Sequence, residues 1–190
     1  MRLKDEFKQK AIFKATVKLV NELGFVSSSV AKIAKEADVS PATIYVYYKN
    51  KDDLLASTYR AIKQDISAAI LKDFDETLPI RDIFRNTWFN LFDYISTNRE
   101  DFQFTEQFAN SPYSDQVNRA EIEGYFEPLI RVLMRGIQQK IIKNVHQDII
   151  GTFLFYPVMI LTNSRLCQTF EPTHDNMDTA FGLAWDAIKF

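Results

Sequence analysis

Apolar residues recur every three to four positions along most of this chain, and no segment alternates convincingly with a period of two. The first such stripe holds Phe7, Ala11, Ala15 and Leu19. This spacing places side chains on one face of an α-helix, whereas a half-buried β-strand needs a period of two. The sequence therefore predicts an all-α protein of about nine helices.

Residues 28–47 predict two short helices joined by a tight turn. Ser28 or Ser29 can cap a helix that ends near Ala37, and residues 38–39 can form the turn. The dipeptide Ser40-Pro41 starts the next helix, because serine caps free N–H groups and proline suits the first helical position. Two short helices in this arrangement are typical of a helix-turn-helix.

A long fourth helix is predicted after Asn50, and the helical pattern continues from there to the end of the chain. The later helices are predicted at residues 80–97, 101–109, 119–140, 147–168 and 175–189. We expect two domains, a helix-turn-helix domain at residues 1–51 and a larger helical domain at residues 52–190, which share the fourth helix as a rigid connection.

The charges divide unevenly between these two parts. Of the 23 Lys and Arg residues ten lie in residues 1–51, and of the 25 Asp and Glu residues five lie there, so that this segment carries a net charge of +5. The remaining 13 basic and 20 acidic residues give −7 for residues 52–190. A basic segment joined to an acidic body favours contact with a polyanion in the first quarter of the chain. The alternative is a chance distribution of solvated surface charge.

Several classes of function lack support in the sequence. Cys167, His146 and His174 do not make a metal-ligand set, and we predict no catalytic residues, no metal and no cofactor. The uncharged run at residues 149–164 is shorter than the ~20 residues of a membrane span. The N-terminus mixes both charge signs, unlike a secretory signal peptide, so we expect a cytoplasmic location.

Residues 12–55 resemble the DNA-binding domain of the TetR family of one-component transcriptional regulators. The similar features, in order, are the apolar first helix with its Gly-Phe stop, Ser-Val, Ile-Ala-Lys, Val-Ser, Thr-Ile-Tyr, Tyr-Tyr-Lys-Asn-Lys and Leu-Leu. Asp38 stands where the family usually has glycine in the turn, and Asp adopts such a backbone with little strain. Tyr48 replaces the usual phenylalanine.

The resemblance implies a two-fold dimer that binds double-stranded DNA at a near-palindromic operator through its third helix. Thr43 is the main hydrogen-bonding candidate for base recognition, and Pro41 and Ala42 suit thymine methyl groups. The tyrosines could instead pack in the core. The predicted DNA-binding residues are Lys4, Ser28, Ser29, Ser40, Pro41, Ala42, Thr43, Tyr45, Tyr47, Lys49 and Lys51.

The resemblance also implies that the larger domain binds a small effector, which we expect to be hydrophobic or aromatic. Residues 52–190 hold 20 of the 26 aromatic residues, although a dense aromatic core would explain them equally. The predicted pocket residues are Trp88, Phe92, Phe104, Phe108, Tyr125, Phe126, Phe153 and Tyr156.

The last two helices are predicted to form a homodimer interface, because together they carry more apolar residues than a free surface needs. The alternative is a buried core within one chain. The predicted interface residues are Phe153, Leu154, Val158, Leu161, Ala180, Phe181, Ala184, Trp185 and Ile188.

The sequence therefore favours a ligand-responsive DNA-binding repressor that is not an enzyme. The alternative is a helical ligand carrier or small enzyme with a vestigial DNA-binding motif. Ser29-Val-Ala-Lys32 matches the S-x-x-K pattern of acyl-enzyme hydrolases, but neither of the accompanying motifs follows it.

Overall fold

The computed structural model describes residues 2–190, with side chains from Asp5 onward. The described residues form ten α-helices and one short 3-10 helix and no regular strand, which confirms the all-α prediction. The α-helices are α1 (Arg2–Ser27), α2 (Val30–Glu36), α3 (Pro41–Tyr47), α4 (Lys51–Ile70), α5 (Ile80–Thr97), α6 (Arg99–Ala109), α7 (Arg119–Gly124), α8 (Glu127–Gln138), α9 (Gln147–Leu161) and α10 (His174–Ile188). The 3-10 helix is Pro112–Gln116.

The chain divides into two compact units by contact. The first unit contains the residues up to Asp65 together with Asn98–Glu123, and the second contains Ile66–Thr97 and Gly124–Phe190. These units are defined by contact and not by functional role, so the division into domains at residues 1–51 and 52–190 stays a prediction.

The core of the first unit joins α1, α2 and α3. Ile12, Ile33, Ile44 and Leu54 are almost completely buried there, and Ala34 and Ala37 lie in the same cluster. Small side chains at these positions permit close approach of α2 and α3. Of the apolar stripe predicted for α1, Ala11, Ala15 and Leu19 pack in this core, whereas Phe7 is exposed.

Gly24 interrupts the regular geometry of α1, as the sequence predicts. Its φ of 76° lies in the region that glycine adopts without a Cβ clash. The helix continues beyond Gly24 to Ser27, so the predicted stop is a kink within α1. The Phe25 ring that follows packs against Phe104 at 6.0 Å and Tyr113 at 5.2 Å between ring centroids, so the bend directs this ring toward α6.

The core of the second unit is built around α5. Helices α9 and α10 pack on each other and on α5, and α8 also contacts α5. Trp88 of α5 is fully buried, and its indole N–H donates a hydrogen bond of 2.7 Å to the Leu154 carbonyl oxygen of α9. Phe181 of α10 meets the Trp88 ring edge-on at 5.8 Å. Aromatic side chains thus join the three helices.

Two predicted helices end elsewhere. The helix predicted at residues 119–140 is wrong, because α7 ends at Gly124 and Pro128 occupies the first turn of a separate α8. The helix predicted at residues 147–168 ends at Leu161, where the Thr162 hydroxyl donates to the Val158 carbonyl oxygen at 2.8 Å. None of the helices within the described residues combines the length and apolar character that a bilayer span needs.

Candidate nucleic-acid interface

Helices α2 and α3 are held in place by local hydrogen bonds. The Ser29 hydroxyl caps α2 by accepting from the Lys32 amide, and the Ser40 hydroxyl caps α3 by accepting from the Thr43 amide at 3.2 Å. Asp38 has a φ of 52°, so the turn adopts the left-handed backbone that the departure from glycine predicts. The helix-turn-helix geometry therefore follows from short-range sequence signals.

Helix α3 has one buried face and one solvent face. Ile44 is 1% exposed and fixes the helix against the core of the first unit. Pro41, Ala42, Tyr45 and Val46 are exposed, and they form what we call the outer face of α3. This face is the surface that the helix-turn-helix can offer to DNA.

The hydroxyl groups of α3 differ in their availability. The Thr43 hydroxyl lies 3.0 Å from the Ser40 hydroxyl, and the Tyr47 hydroxyl donates to Asp5 at 3.1 Å. Tyr45 is 56% exposed. Tyr45 is therefore the tyrosine of this segment whose hydroxyl is best placed for a phosphate, while Thr43 is partly engaged in capping.

Tyr47 and Tyr48 are both half-buried against the core of the first unit. Desolvation and the hydrogen bond to Asp5 raise the pKa of Tyr47. Burial, with smaller effects of Asp53 and Tyr47, raises the pKa of Tyr48. Both phenols therefore stay neutral at physiological pH. Packing in the core, the alternative to DNA contact, therefore accounts for the position of Tyr48 and for part of that of Tyr47.

The predicted phosphate contacts separate into exposed and internal side chains. Lys49 and Ser29 are exposed. Ser28 is fully buried, and its hydroxyl lies 2.9 Å from the Leu19 carbonyl oxygen and 2.8 Å from that of Gly24, so its side chain is bound inside the protein. The Lys51 ammonium donates to the Phe25 carbonyl oxygen. The side chain of Lys4 lies outside the described residues.

Sequence analysis missed three exposed residues of this surface. Val46 is 76% exposed on α3, and Lys32 and Lys35 are exposed on α2. Val46 follows Ala42 by one helical turn, a spacing that could have identified it once Ile44 was assigned to the core. The lysines of α2 add exposed positive charge to the helix-turn-helix.

Helix α6 is attached to α1 through side-chain hydrogen bonds. Asn21 donates to the Glu100 carbonyl oxygen at 2.8 Å, and Gln107 donates to the Asn21 side-chain oxygen at 2.9 Å. The rings of Tyr59 and Phe108 stack at 4.5 Å. Within the first unit, these hydrogen bonds therefore hold α6 against α1, and α1 in turn packs on α2 and α3.

Asp101 in the first turn of α6 is half-buried and near other carboxylates. Burial, followed by the charges of Asp65 and Glu100, raises its pKa above 3.8, and Lys14 offsets this only in part. A raised carboxyl pKa in the folded state makes stability fall as pH rises from the unfolded-state value through the folded one.

We expect Asp101→Asn to raise the melting temperature at pH 7 relative to Asp82→Asn, and this advantage to shrink as the pH falls and Asp101 takes up its proton. Asp82→Asn is the control because Asp82 is an exposed acidic residue in the first turn of another helix, α5. Thermal unfolding followed by circular dichroism at several pH values measures the difference. An advantage independent of pH would contradict the electrostatic explanation.

The predicted effector-pocket residues lie in both compact units. Phe104 and Phe108 belong to the first unit, where both are fully buried and stack at 6.1 Å. The remaining predicted residues belong to the second unit: Trp88 is buried, Phe92, Tyr125 and Phe126 are half-buried, and Phe153 and Tyr156 are exposed. Exposed rings do not line an enclosed cavity, so Phe153 and Tyr156 are poorly placed for that role.

Most of the predicted dimer-interface residues are buried within a single chain, and the interface stays a prediction. Phe153 is exposed, and Leu161 and Ala180 are half-buried. The other six residues are 6% exposed or less because they pack inside the second unit: Leu154, Val158, Phe181, Ala184, Trp185 and Ile188.

A different set of apolar residues is exposed on the same two helices. Ile149, Phe153 and Tyr156 follow one another at intervals of four and three along α9, and Leu183 of α10 is 70% exposed. Residues at this spacing share one helical face. We call these four residues the apolar face of α9 and α10.

No three His, Cys, Asp or Glu side chains in the described part of the chain are grouped in a way that could hold a metal ion.

Two family models match the chain. Residues 12–58 match bacterial regulatory proteins of the tetR family, and residues 79–189 match the tetracyclin repressor-like C-terminal domain. The crystal structure of a TetR family transcription regulator from Marinobacter aquaeolei VT8 is 34% identical, with a TM-score of 0.92 over 100% of this chain and 99% of that chain.

Curated relatives are similar over shorter stretches. An uncharacterized HTH-type transcriptional regulator from Haemophilus influenzae is 37% identical over 101 residues, which is 53% of this chain and 54% of that protein. The match thus spans about half the length of that relative. A fatty acid metabolism regulator protein from Bacillus subtilis is 28% identical over 135 residues, which is 70% of this chain and 69% of that protein.

Proposed function

Since the chain belongs to the TetR family of transcriptional regulators, we propose that it represses transcription by binding a near-palindromic DNA operator as a homodimer in the cytoplasm. A small hydrophobic or aromatic effector releases it. The observation that carries this proposal is the solvent-exposed outer face of α3, in a unit that also exposes Lys32, Lys35 and Lys49.

The DNA contacts follow from the exposure of these side chains. Lys49, Ser29 and the Tyr45 hydroxyl hold phosphates, because all three are exposed: Ser29 at the start of α2, Tyr45 on α3 and Lys49 just after it. Lys51 adds positive charge while its bond to Phe25 fixes the start of α4 against the end of α1. Ser28 contributes by bracing the end of α1, since its hydroxyl is bound to backbone carbonyl groups there.

The effector proposal rests on composition and on one relative. The aromatic side chains of residues 52–190 favour an apolar ligand, and the name of the Bacillus subtilis relative refers to fatty acid metabolism. The hydrogen bonds from Asn21 and Gln107 connect α6 to α1, so a ligand that moves α6 would also move the helix-turn-helix.

Dimer formation is proposed through the apolar face of α9 and α10. Two copies of so small a DNA-binding surface suit a palindromic site. Exposed large apolar side chains that share one face of α9 are unfavourable in water and are stabilised by burial against a second copy. Leu161 and Ala180 were also predicted at the interface, and because they are half-buried they can contribute only part of their surface to it.

Selection of DNA from a random pool by the purified full-length protein tests the function. We expect enrichment of a near-palindromic sequence, whose affinity decreases steeply with salt because phosphate contacts release counterions. Candidate acyl and aromatic compounds are then added to the complex, and we expect one class to release the DNA. A protein that enriches no sequence is better explained as a ligand carrier or small enzyme.

Lys49→Ala should weaken binding to all DNA sequences to a similar degree, because a phosphate contact carries no sequence information. For a dimer that loses one contact in each protomer, the slope of log K against log salt should decrease by about 2. Lys72→Ala is the control, since Lys72 is an exposed lysine in the second unit. Fluorescence anisotropy titrations at several salt concentrations measure both effects. An unchanged salt slope in Lys49→Ala would remove this residue from the interface.

A further inference from the structure

The outer face of α3 is almost entirely apolar. With about 100° of rotation for each residue, Pro41, Tyr45, Ala42 and Val46 cover an arc of about 140° around the helix. Thr43, Tyr47 and Ile44 lie on the remaining arc, and all three are at least half-buried. Apart from the Tyr45 hydroxyl, the exposed arc presents hydrocarbon.

The polar groups that usually distinguish bases are missing from this helix. The sequence of α3, PATIYVY, has no amide, carboxylate, ammonium or guanidinium side chain. Arginine or lysine pairing with guanine and asparagine or glutamine pairing with adenine therefore cannot arise from α3. The Thr43 hydroxyl, the remaining candidate, lies 3.0 Å from the Ser40 hydroxyl at the helix start.

One base group in the major groove is recognised through apolar contact, namely the C5-methyl group of thymine. Val46 is 76% exposed and stands one turn beyond Ala42 on the outer face. A β-branched side chain is stiff at χ1, so its two methyl groups keep a defined position. Single exposed valines need no explanation, but this one continues the exposed surface of Pro41, Ala42 and Tyr45.

We propose that Val46 is the main specificity-determining residue of α3, an inference that rests on the proposed operator binding. Together with Ala42 it selects operators with thymine at fixed positions in each half-site, by packing against the thymine methyl groups. The lysines of the first unit supply affinity for phosphates that does not depend on sequence. Apolar contact in the groove supplies the discrimination.

The test uses the operator that the wild-type protein selects and a set of duplexes with deoxyuridine in place of thymidine at one position at a time. Deoxyuridine keeps every hydrogen-bonding group of thymidine and lacks only the C5-methyl group. We expect particular replacements to lower wild-type affinity by about fourfold for each contacted methyl group. In Val46→Ala the same replacements should cost less than about twofold, because the contact is already lost.

Val46→Thr and Val26→Ala complete the set. Threonine keeps the branched shape but exchanges one methyl group for a hydroxyl, so selection with this variant should yield a different base at the contacted position. Val26 is 90% exposed outside α3, and Val26→Ala should retain the wild-type response to deoxyuridine. Circular dichroism melting curves identify any variant that does not fold, and the wild-type deoxyuridine series depends on no substitution in the protein.

Two failures are distinguishable. An operator that binds wild type equally well with deoxyuridine at every position overturns the role of Val46 but leaves the proposed function intact. The role of Val46 is also overturned if Val46→Ala responds to deoxyuridine as wild type does. If no sequence is enriched at all, both the proposed function and this inference are overturned.

Discussion

Trp88→Ala is expected to lower the free energy of unfolding by about 4 kcal/mol, the largest loss that we expect from a single substitution in this chain. Trp88 is 0% exposed, and its ring centroid lies 5.6 Å from that of Phe89 and 5.8 Å from that of Phe181. The substitution leaves a cavity between α5 and α10. It also removes the hydrogen bond from the indole N–H to Leu154. Such a loss is a large part of the roughly 5–15 kcal/mol that stabilises a typical domain.

Urea unfolding followed by far-UV circular dichroism measures this effect, at one fixed chain concentration because oligomers gain stability by mass action. Trp88→Phe should cost about 1–2 kcal/mol, since a ring still fills most of the space while the hydrogen bond is lost. Phe7→Ala is the surface control because Phe7 is exposed, and it should change stability by less than about 0.5 kcal/mol. A loss below about 1 kcal/mol for Trp88→Ala would show that water reaches this side chain.

The helix-turn-helix could be predicted from sequence because its determinants are local. Ser40 caps α3 through an amide three residues away, and Asp38 adopts the positive φ that the turn requires. Both effects act within a few residues of the chain. They need no information about which distant segment packs nearby.

The roles of the two adjacent serines could not be separated in the same way. Ser28 and Ser29 are equally able to cap a helix by composition. The structure assigns the cap to Ser29 and turns Ser28 inward to the Leu19 and Gly24 carbonyl groups. The position of α1 decides between them, and that position follows from packing and not from local sequence.

The sequence could not predict which residues of α9 are buried, for a different reason. Residues 149–161 are apolar on almost every side, so the 3.6-residue period does not distinguish core from surface. Leu154 and Val158 are buried because α5 and α10 pack there, while Phe153 and Tyr156 are left outside. Only the positions of neighbouring helices separate these residues, which is why the predicted interface named mostly core side chains.

The predicted effector pocket met the same difficulty. Aromatic richness alone predicts neither which compact unit a ring belongs to nor whether it is exposed. Phe108 stacks on Tyr59 in the first unit, whereas Trp88 contacts Phe181 in the second. Composition alone therefore does not show which of these rings pack together, and the pocket stays a prediction.

Phe153→Asp is expected to convert the proposed homodimer to a monomer and to lower operator affinity by at least about 100-fold. Phe153 lies in the middle of the apolar face of α9 and α10 and is 55% exposed. Two carboxylates related by a two-fold axis would lose water and repel each other when the copies associate. A monomer loses the increase in affinity of about 10²–10⁴ that linking two binding sites provides.

Sedimentation equilibrium measures the oligomeric state, and anisotropy titration with the selected operator measures affinity. Leu166→Asp is the matched control, since Leu166 is 63% exposed in the segment between α9 and α10 and lies outside the apolar face. It should leave both properties unchanged. A Phe153→Asp protein that keeps its helical content and stays dimeric would place the interface elsewhere. The half-buried Leu161 and Ala180 would then be the next residues to substitute, because they were predicted on the same two helices and are not fully enclosed within one chain.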